Sequence, residues 1–314
     1  MVNRRFLRVK VMQSLYSYLQ SGSTDLAKTE KDLFQSIDKV YDLYFYFISL
    51  FIDIHHSSHL LIEDNKNKRL PTQEDLNPNR KFVDNPILTG FSKNAQIQKE
   101  IANRKISWQN DFDLVKKIFN EIRFSEEYKT YMNSGKNSAE ENRKFLEVII
   151  RNFIADNDIM EFWLEEKNIH WVDDYYVAVN GLIKTIETAE DSGEIKLPSL
   201  YKDLEDDKQF MRSLLSKCII HNNEYEEMIS DKTKNWEIER IAFLDVLLMK
   251  MAITEILNIS NVPVKVTLNE YIEIAKQYST PKSKIFINGI LDKILADLKA
   301  KDKIKKTGRG LLES

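Results

Sequence analysis

Three arginines near the start of the chain, Arg4, Arg5 and Arg8, have the charge and the spacing to bind a polyanion. On a helix they share one arc with Met12 and Leu15, and one arc cannot be both buried and charged. We therefore expect the apolar part of this helix to pack on the protein and its basic first turns to project. No acid in the first 24 residues offsets the unfavourable interaction of the arginines with the helix dipole. This pattern favours an external polyanion as partner, and the alternative is a solvated, charged helix end.

A second candidate is Phe286, in a helix predicted from about residue 282 to 299. At 100° per residue its ring points away from the apolar stripe and to the same side as Lys282 and Lys293, with Lys284 in the adjacent turn. An aromatic ring flanked by lysines suits stacking on an unpaired RNA base. The alternative is that Phe286 packs at the edge of the core against a neighbouring helix.

Other residue types that carry out chemistry do not form a recognisable site. His55 and His59 are four residues apart and could share a metal, but no third ligand follows at a recognisable spacing, so we expect ordinary histidines. Adjacent Asp173 and Asp174 diverge on a helix and more plausibly cap its start. There is no phosphate-binding loop, dinucleotide turn or nucleophile elbow. We therefore expect a protein that is not an enzyme and has no metal and no cofactor.

Composition indicates a globular protein rather than a polycation. The 314 residues are 42% hydrophobic, and the formal net charge is only -3, so any nucleic-acid site must be a local patch. The single cysteine, Cys218, excludes an intramolecular disulfide and lies in an apolar helical run, where we expect a core residue. We find no signal peptide and no membrane span, so the sequence predicts a cytoplasmic protein.

The spacing of apolar residues predicts an all-α fold. Only 8 glycines and 6 prolines occur, and long segments repeat apolar residues every three or four positions. The polar stretch from Glu63 to Asn94, with its scattered prolines, reads as a long surface loop. Thr267 and Glu270 form a capping box that predicts the start of one helix, and Thr280 with Pro281 predicts the start of the next. The predicted helices cover residues 4–20, 29–62, 95–107, 110–132, 139–165, 172–190, 206–230, 236–258, 268–278 and 282–299.

Three stretches of the chain resemble the NusB family of bacterial transcription antitermination factors. They read "RRFLRVKVMQSLYSY", "FMRSLLSKCIIHNNEYEEMI" and "WEIERIAFLDVLLMKMAITEILNISNVPVKVTLNEYIEIAKQYSTPKSKIFINGILDKI". The most specific pieces are Trp236 with "ERIA", then "NVPVKV", "LNEYIEIAK" and "FINGILD", in the order of the family. The resemblance implies an all-α fold of two packed helical subdomains. It also implies pairing with the ribosomal protein NusE, binding of boxA RNA in nascent ribosomal RNA transcripts, and assembly of the antitermination complex on RNA polymerase.

The resemblance also implies the residues of the site. The arginine-rich motif of the family falls on the first three arginines and continues into the same helix, whereas Phe6, Leu7 and Val9 depart from the family pattern. Acidic positions that resemble the NusE-binding surface fall on Asp245 and, more weakly, on Glu239. The RNA-binding residues expected on this basis are Arg4, Arg5, Arg8, Gln13, Tyr16, Lys282, Lys284 and Phe286.

About 180 residues have no counterpart in the resemblance, so we predict four segments in the chain. These are a basic N-terminal helix (1–24), a helical insertion that enlarges the N-terminal part (25–205), a NusB-like C-terminal domain (206–299) and a basic, flexible tail (300–314). The preferred hypothesis is an RNA-binding adaptor. The alternative is a non-catalytic helical scaffold that acts through the insertion, and a steep salt dependence of RNA affinity distinguishes the two.

Overall fold

The computed structural model describes residues 1–136, 138–233 and 241–312. Across these ranges the regular structure is helical, with no strand, so the predicted all-α fold is confirmed. None of these helices has the length and apolar content needed to cross a membrane. In chain order the α-helices are α1 (Arg4–Gln20), α2 (Leu26–Lys66), α3 (Gln73–Leu76), α4 (Pro86–Lys93), α5 (Ala95–Arg104), α6 (Phe112–Phe124), α7 (Glu126–Asn133), α8 (Ala139–Ile150), α9 (Asp158–Lys167), α10 (Trp171–Glu187), α11 (Leu204–Ile220), α12 (Asn222–Lys232), α13 (Phe243–Asn258), α14 (Val264–Tyr278) and α15 (Ser283–Ala300).

The helices form two compact units. The central unit consists of Met1 and Asp38–Leu200, and the terminal unit consists of Val2–Ile37 and Tyr201–Ser314. The terminal unit thus joins the two ends of the chain, and it contains the N-terminal and the two C-terminal stretches that resemble the NusB family.

Aromatic packing dominates part of the central unit. The indole rings of Trp108 and Trp163 stack with their centroids 4.4 Å apart, and Trp171 stacks on Trp163 at 5.7 Å. The ring of Tyr46 meets all three indoles edge-on. We call these four residues the tryptophan cluster. The Nε1–H of Trp108 donates to the backbone oxygen of Tyr46 at 3.0 Å, so the indole is buried with its polar atom satisfied.

The stretch predicted as one long loop, from Glu63 to Asn94, is partly helical. Pro86 occupies the first position of α4, and the side chain of Asn85 caps the helix by accepting from the backbone N–H of Ile87 at 3.0 Å. Ile87, Leu88 and Phe91 of α4 are buried. The loop prediction was wrong here because a proline at a helix start and a proline in a loop give the same sequence signal.

The terminal unit is built around α13. Every side chain from Leu247 to Ile256 is buried, and α13 contacts α1, α11, α12, α14 and α15. Cys218 of α11 is buried in this core, as the sequence predicts. A helix that is buried all round needs neighbours on every side, so α1 has to complete the bundle although it comes from the opposite end of the chain.

The helix α14 begins one turn earlier than the capping box predicts. Pro263, in extended conformation at φ -61°, immediately precedes the first residue, Val264. The Thr267 hydroxyl is fully buried and donates to Glu255 Oε1 at 2.9 Å, while Glu270 pairs with Arg5. The capping box was therefore wrong, because both side chains are engaged in tertiary contacts. The next helix, α15, begins later than predicted, at Ser283 rather than at Pro281, with Lys282 in the cap position.

Part of the basic C-terminal segment is docked on the end of α13. Lys306 Nζ donates to the backbone oxygen of Ile259 at 2.8 Å. The backbone N–H of Thr307 donates to the backbone oxygen of Ser260 at 3.0 Å. Gly310 lies so close to Ser260 that a Cβ atom would be 1.9 Å from the Ser260 oxygen. Residues 306–310 therefore differ from the solvated, flexible tail that the sequence suggests, because backbone contacts rather than an apolar stripe hold them.

Candidate nucleic-acid interface

A cleft of about 1200 Å³ in the terminal unit contains all three arginines that the sequence singles out. We call it the arginine cleft. Asn3 caps α1 at its rim by accepting from the backbone N–H of Phe6 at 2.9 Å, so the arginines occupy the first turns of the helix. The remaining charged residues that line the cleft are Lys202, Asp203, Asp206, Asp207, Glu270 and Arg309.

Arg4 and Arg5 are accessible in this cleft, but each is paired with a carboxylate. Arg4 contacts Asp206 at 2.5 Å and Asp207 at 3.0 Å, and its guanidinium lies 4.2 Å from the centre of the Phe210 ring. Arg5, 47% exposed, forms a bidentate pair with Glu270 in which both distances are 2.9 Å. The hydrogen bond to Glu270 raises the pKa of Arg5. An incoming phosphate would therefore compete with protein carboxylates for these two arginines.

Arg8 occupies a different environment. Its side chain is 2% exposed, and it forms a bidentate pair with the fully buried Glu255 at 2.8 and 2.5 Å. Thr267 and Tyr271 donate to the same carboxylate at 2.9 and 3.1 Å. Burial lowers the pKa of Arg8, but the hydrogen bond and the charge of Glu255 outweigh it and leave the pKa above its usual value. Arg8 differs from the predicted phosphate contact, because its guanidinium is enclosed by this network in the described conformation.

Further along α1, Gln13 is partly buried and Tyr16 is 45% exposed. The Tyr16 ring meets Phe243, the first residue of α13, edge-on at 5.3 Å, and Phe243 is itself 40% exposed. Sequence reasoning missed Phe243, because nothing in its local pattern shows that it faces Tyr16. Two half-exposed rings in contact offer an aromatic surface to an unstacked base.

The start of α15 carries the other candidates. Lys282 and Lys284 are exposed, Phe286 is partly buried, and Ile285 is largely exposed. Partial burial of Phe286 is compatible with both interpretations of this ring, as a stacking surface and as the edge of the core. Its role in RNA binding stays a prediction.

Asp245 fixes the start of α15 on α13. The carboxylate accepts from the Ser279 hydroxyl at 2.5 Å and from the Ser283 hydroxyl at 2.7 Å, and the side chain is 5% exposed. This differs from the expected surface acid, because the turn between α14 and α15 covers the carboxylate. Glu239, the weaker acidic candidate, lies outside the described residues, as does Trp236.

The candidates thus form two groups on the terminal unit. Arg4 and Arg5 lie in the arginine cleft. At the other end of α1, Tyr16 contacts Phe243, and Asp245, two residues after Phe243, holds the start of α15 with its lysines. From Arg8 to Tyr16 the helix rises about 12 Å, which separates the two groups along α1.

Comparison with known proteins identifies the fold of this part of the chain. Residues 176–296 match the sequence profile of the NusB family. The chain contains a NusB family domain. The resemblance seen in the two C-terminal stretches of the sequence is thereby confirmed.

Three relatives, each named "Transcription antitermination protein NusB", match part of the chain. The protein of Salinibacter ruber is 46% identical over 105 residues, which are 33% of this chain and 66% of that protein. The protein of Chloroherpeton thalassium is 42% identical over 106 residues, or 34% and 50% of the two chains. The protein of Methylacidiphilum infernorum is 41% identical over 91 residues, or 29% and 64%. The match therefore covers less than two thirds of each relative's length. No solved structure matches the chain.

The helix α1 lies outside the residues that match the NusB profile, yet it is packed into the NusB domain. It contacts α11, α13 and α14, and Arg8 reaches Glu255 in the middle of the match. The match also begins at Tyr176 in α10, which belongs to the central unit. The segment that matches the NusB profile therefore begins before the C-terminal part of the terminal unit, which starts at Tyr201.

Two histidines of the central unit, His55 and His59, have their rings in contact. His55 is buried with its Nε2 2.8 Å from the backbone oxygen of Val83, and its ring lies 4.7 Å from that of His59. Burial lowers the pKa of His55. Within the described ranges, no group of three or more His, Cys, Asp or Glu side chains is arranged to hold a metal ion.

Proposed function

We propose that this chain is an RNA-binding transcription antitermination factor. It pairs with the ribosomal protein NusE, binds boxA RNA of nascent ribosomal RNA transcripts, and helps assemble the antitermination complex on RNA polymerase. The observation that carries the proposal is the packing of the arginine-bearing α1 onto the NusB family domain, since this joins the two parts of the sequence that resemble the family.

Arg4 and Arg5 contact phosphates in this proposal. Both guanidinium groups are accessible, and the contacts to Asp206, Asp207 and Glu270 use only Nε and Nη2 within the described residues. An arginine has five N–H donors, so Nη1 of each is still able to donate to a phosphate oxygen. Arg8 is a positioning residue: its pair with Glu255 holds α1 on α13 and thereby orients the two accessible arginines.

Bases stack at the other end of α1. Tyr16 with Phe243 supplies one aromatic surface, Phe286 supplies a second, and the exposed Lys282 and Lys284 neutralise neighbouring phosphates. Gln13, on the same helix, contributes a polar contact.

NusE docks beside Asp245 in this proposal. Because Asp245 is covered by the turn between α14 and α15, it acts by positioning that turn, and the turn presents the surface to the partner. Glu239 is proposed as a direct contact on the strength of the resemblance alone.

The test is fluorescence anisotropy of a boxA RNA with the full chain, with and without NusE, over a series of salt concentrations. We expect tighter binding to boxA than to a scrambled RNA, and NusE should tighten it further. Replacing Arg4 and Arg5 by alanine should weaken binding and reduce the salt slope by about 0.7 for each phosphate of the single strand that the protein no longer neutralises.

Arg80→Ala is the matched control, because Arg80 is an exposed arginine of the central unit paired with Asp84. It should bind as the unmodified protein does. If the unmodified chain binds boxA no better than the scrambled RNA even with NusE, the proposal fails.

A scaffold role for the central unit is the second candidate function. It is favoured by large apolar side chains that the central unit leaves exposed, among them Phe124, Phe162, Ile169 and Tyr176. RNA affinity that is weak and independent of salt would support the scaffold over the adaptor, because only the adaptor requires neutralisation of phosphates.

A further inference from the structure

We propose that Arg309, together with Lys202, binds RNA phosphate in the arginine cleft, so that the C-terminal segment forms part of the RNA site. This inference rests on the proposed function and extends it to residues that neither the sequence pattern nor the family resemblance assigns.

The charge pairing inside the cleft distinguishes these two cations from the three arginines of α1. Arg4 is paired with Asp206 and Asp207, Arg5 with Glu270, and Arg8 with Glu255. By contrast, Lys202 and Arg309 line the same cleft, are exposed, and form no ion pair with any described residue. They are therefore the cations of the cleft that form no ion pair with a carboxylate in the described part of the chain.

The position of Arg309 is set by backbone anchors on both sides. Before it, Lys306 and Thr307 are hydrogen-bonded to the end of α13. Gly308 has φ +53°, a conformation that L side chains rarely adopt, and Gly310 is pressed against Ser260 with no room for a Cβ atom. The two glycines thus fix a short turn with Arg309 between them. Its backbone is held beside the cleft before any ligand binds, so binding costs little backbone entropy there.

An unpaired guanidinium suits a phosphate better than a paired one does. It can form two parallel hydrogen bonds to phosphate oxygens, and no carboxylate has to be displaced first. When a phosphate binds, Arg4 and Arg5 either keep their ion pairs with carboxylates beside it or break them. Arg309 and Lys202 therefore contribute more to affinity than their absence from the arginine-rich motif suggests.

The test compares three variants of the full chain in the boxA anisotropy assay over a salt series. Arg309→Ala should weaken binding by about threefold to tenfold and reduce the salt slope by about 0.7. Lys202→Ala should act in the same direction. Lys305→Ala is the matched control, since Lys305 is an exposed cation of the same segment that does not line the cleft, and it should leave both quantities unchanged.

Two further measurements separate the possible failures. The thermal midpoint of Arg309→Ala should equal that of the unmodified protein, because the side chain is exposed. If boxA binds normally but Arg309→Ala behaves as Lys305→Ala does, or weakens only the pairing with NusE, this inference is overturned while the proposed function stands. If the unmodified chain shows no boxA preference, both fail.

Discussion

The two units of this protein differ in the polar and aromatic side chains that they bury. The central unit contains the tryptophan cluster, in which Trp108 and Trp171 donate to backbone oxygens, whereas the buried Nε1 of Trp163 has no hydrogen-bond partner among the described residues. The terminal unit contains a buried ion pair, Arg8 with Glu255, completed by the hydroxyls of Thr267 and Tyr271. Aromatic packing tolerates the loss of one polar contact, whereas a buried charge that loses its partner is strongly unfavourable. The terminal unit therefore depends more heavily on a few specific partners, and those partners hold the helix with the candidate RNA-binding arginines.

The largest expected effect comes from breaking the ion pair. Arg8→Ala leaves Glu255 buried without its cation and should destabilise the terminal unit by about 3–5 kcal/mol, with little effect on the central unit. Each unit has its own probe: Cys218, the single cysteine, is buried in the terminal unit, where burial raises its pKa to about 11, and three of the four tryptophans form the tryptophan cluster. Thiol labelling should therefore accelerate, while tryptophan fluorescence in a Trp236→Phe background should not change.

A double variant controls for the charge. Arg8→Met combined with Glu255→Leu removes both ions and should recover most of the stability, because an apolar pair of similar volume can replace a buried ion pair. If Arg8→Ala costs less than about 1 kcal/mol, the terminal unit does not depend on this pair.

A smaller effect comes from one hydroxyl in each unit. Tyr271 of the terminal unit and Tyr44 of the central unit are both fully buried, and each hydroxyl has one described side-chain partner, the Glu255 carboxylate or the Thr185 hydroxyl. Tyr271→Phe should cost about 1.5–3 kcal/mol, because it removes a hydrogen bond to a charged group, and Tyr44→Phe about 0.5–1.5 kcal/mol. Urea unfolding of both variants measures the difference. Equal losses would contradict the contrast between the units.

The smallest effect concerns RNA affinity rather than stability. Glu270→Gln weakens the bidentate pair with Arg5 and should raise affinity for boxA RNA about threefold, since the charge of Arg5 is then no longer offset by that carboxylate. Asp84→Asn makes the same change at Arg80 in the central unit and should have no effect. An affinity that falls in Glu270→Gln would indicate that Glu270 orients Arg5 for RNA rather than competing with it.

Much of the fold could be predicted from the sequence. The spacing of apolar residues locates α1 and predicts an all-α fold, since helical periodicity is a local property. The helix start at Pro86 and the early start of α14 could not be predicted, because a proline or a capping motif acquires its meaning from tertiary contacts that the local sequence does not contain. Cys218 was predictable as core because its helix has one consistently apolar face.

The sequence identifies the residues of the candidate site better than it predicts their burial and their partners. The pattern at the N-terminus identifies Arg4, Arg5 and Arg8 as one group, but burial divides them, because Arg8 alone faces Glu255. Glu255 lies 247 residues away in sequence, so no local pattern reveals that pairing. Phe243 is also far from Tyr16 in sequence, so no local pattern reveals the contact between the two rings. The two acids that face Arg4, Asp206 and Asp207, stand in a visible run at the start of α11, "EDD", and that run is a signal the sequence does provide.

The separation of Arg8 from Glu255 also has a consequence for the order in which the protein acquires its structure during synthesis. At about 5–20 residues per second, a ribosome needs roughly 12 to 50 seconds to make the 247 residues that separate the two side chains. For that time α1 has left the ribosome but α13 and α14, two of its partner helices, are incomplete, and Leu7, Val11 and Leu15 have no finished core to enter. The chain from residue 38 to 200 is complete well before. We therefore expect the newly made helix to be a client of chaperones, and α1 to reach its final position only after α13 and α14 have been made.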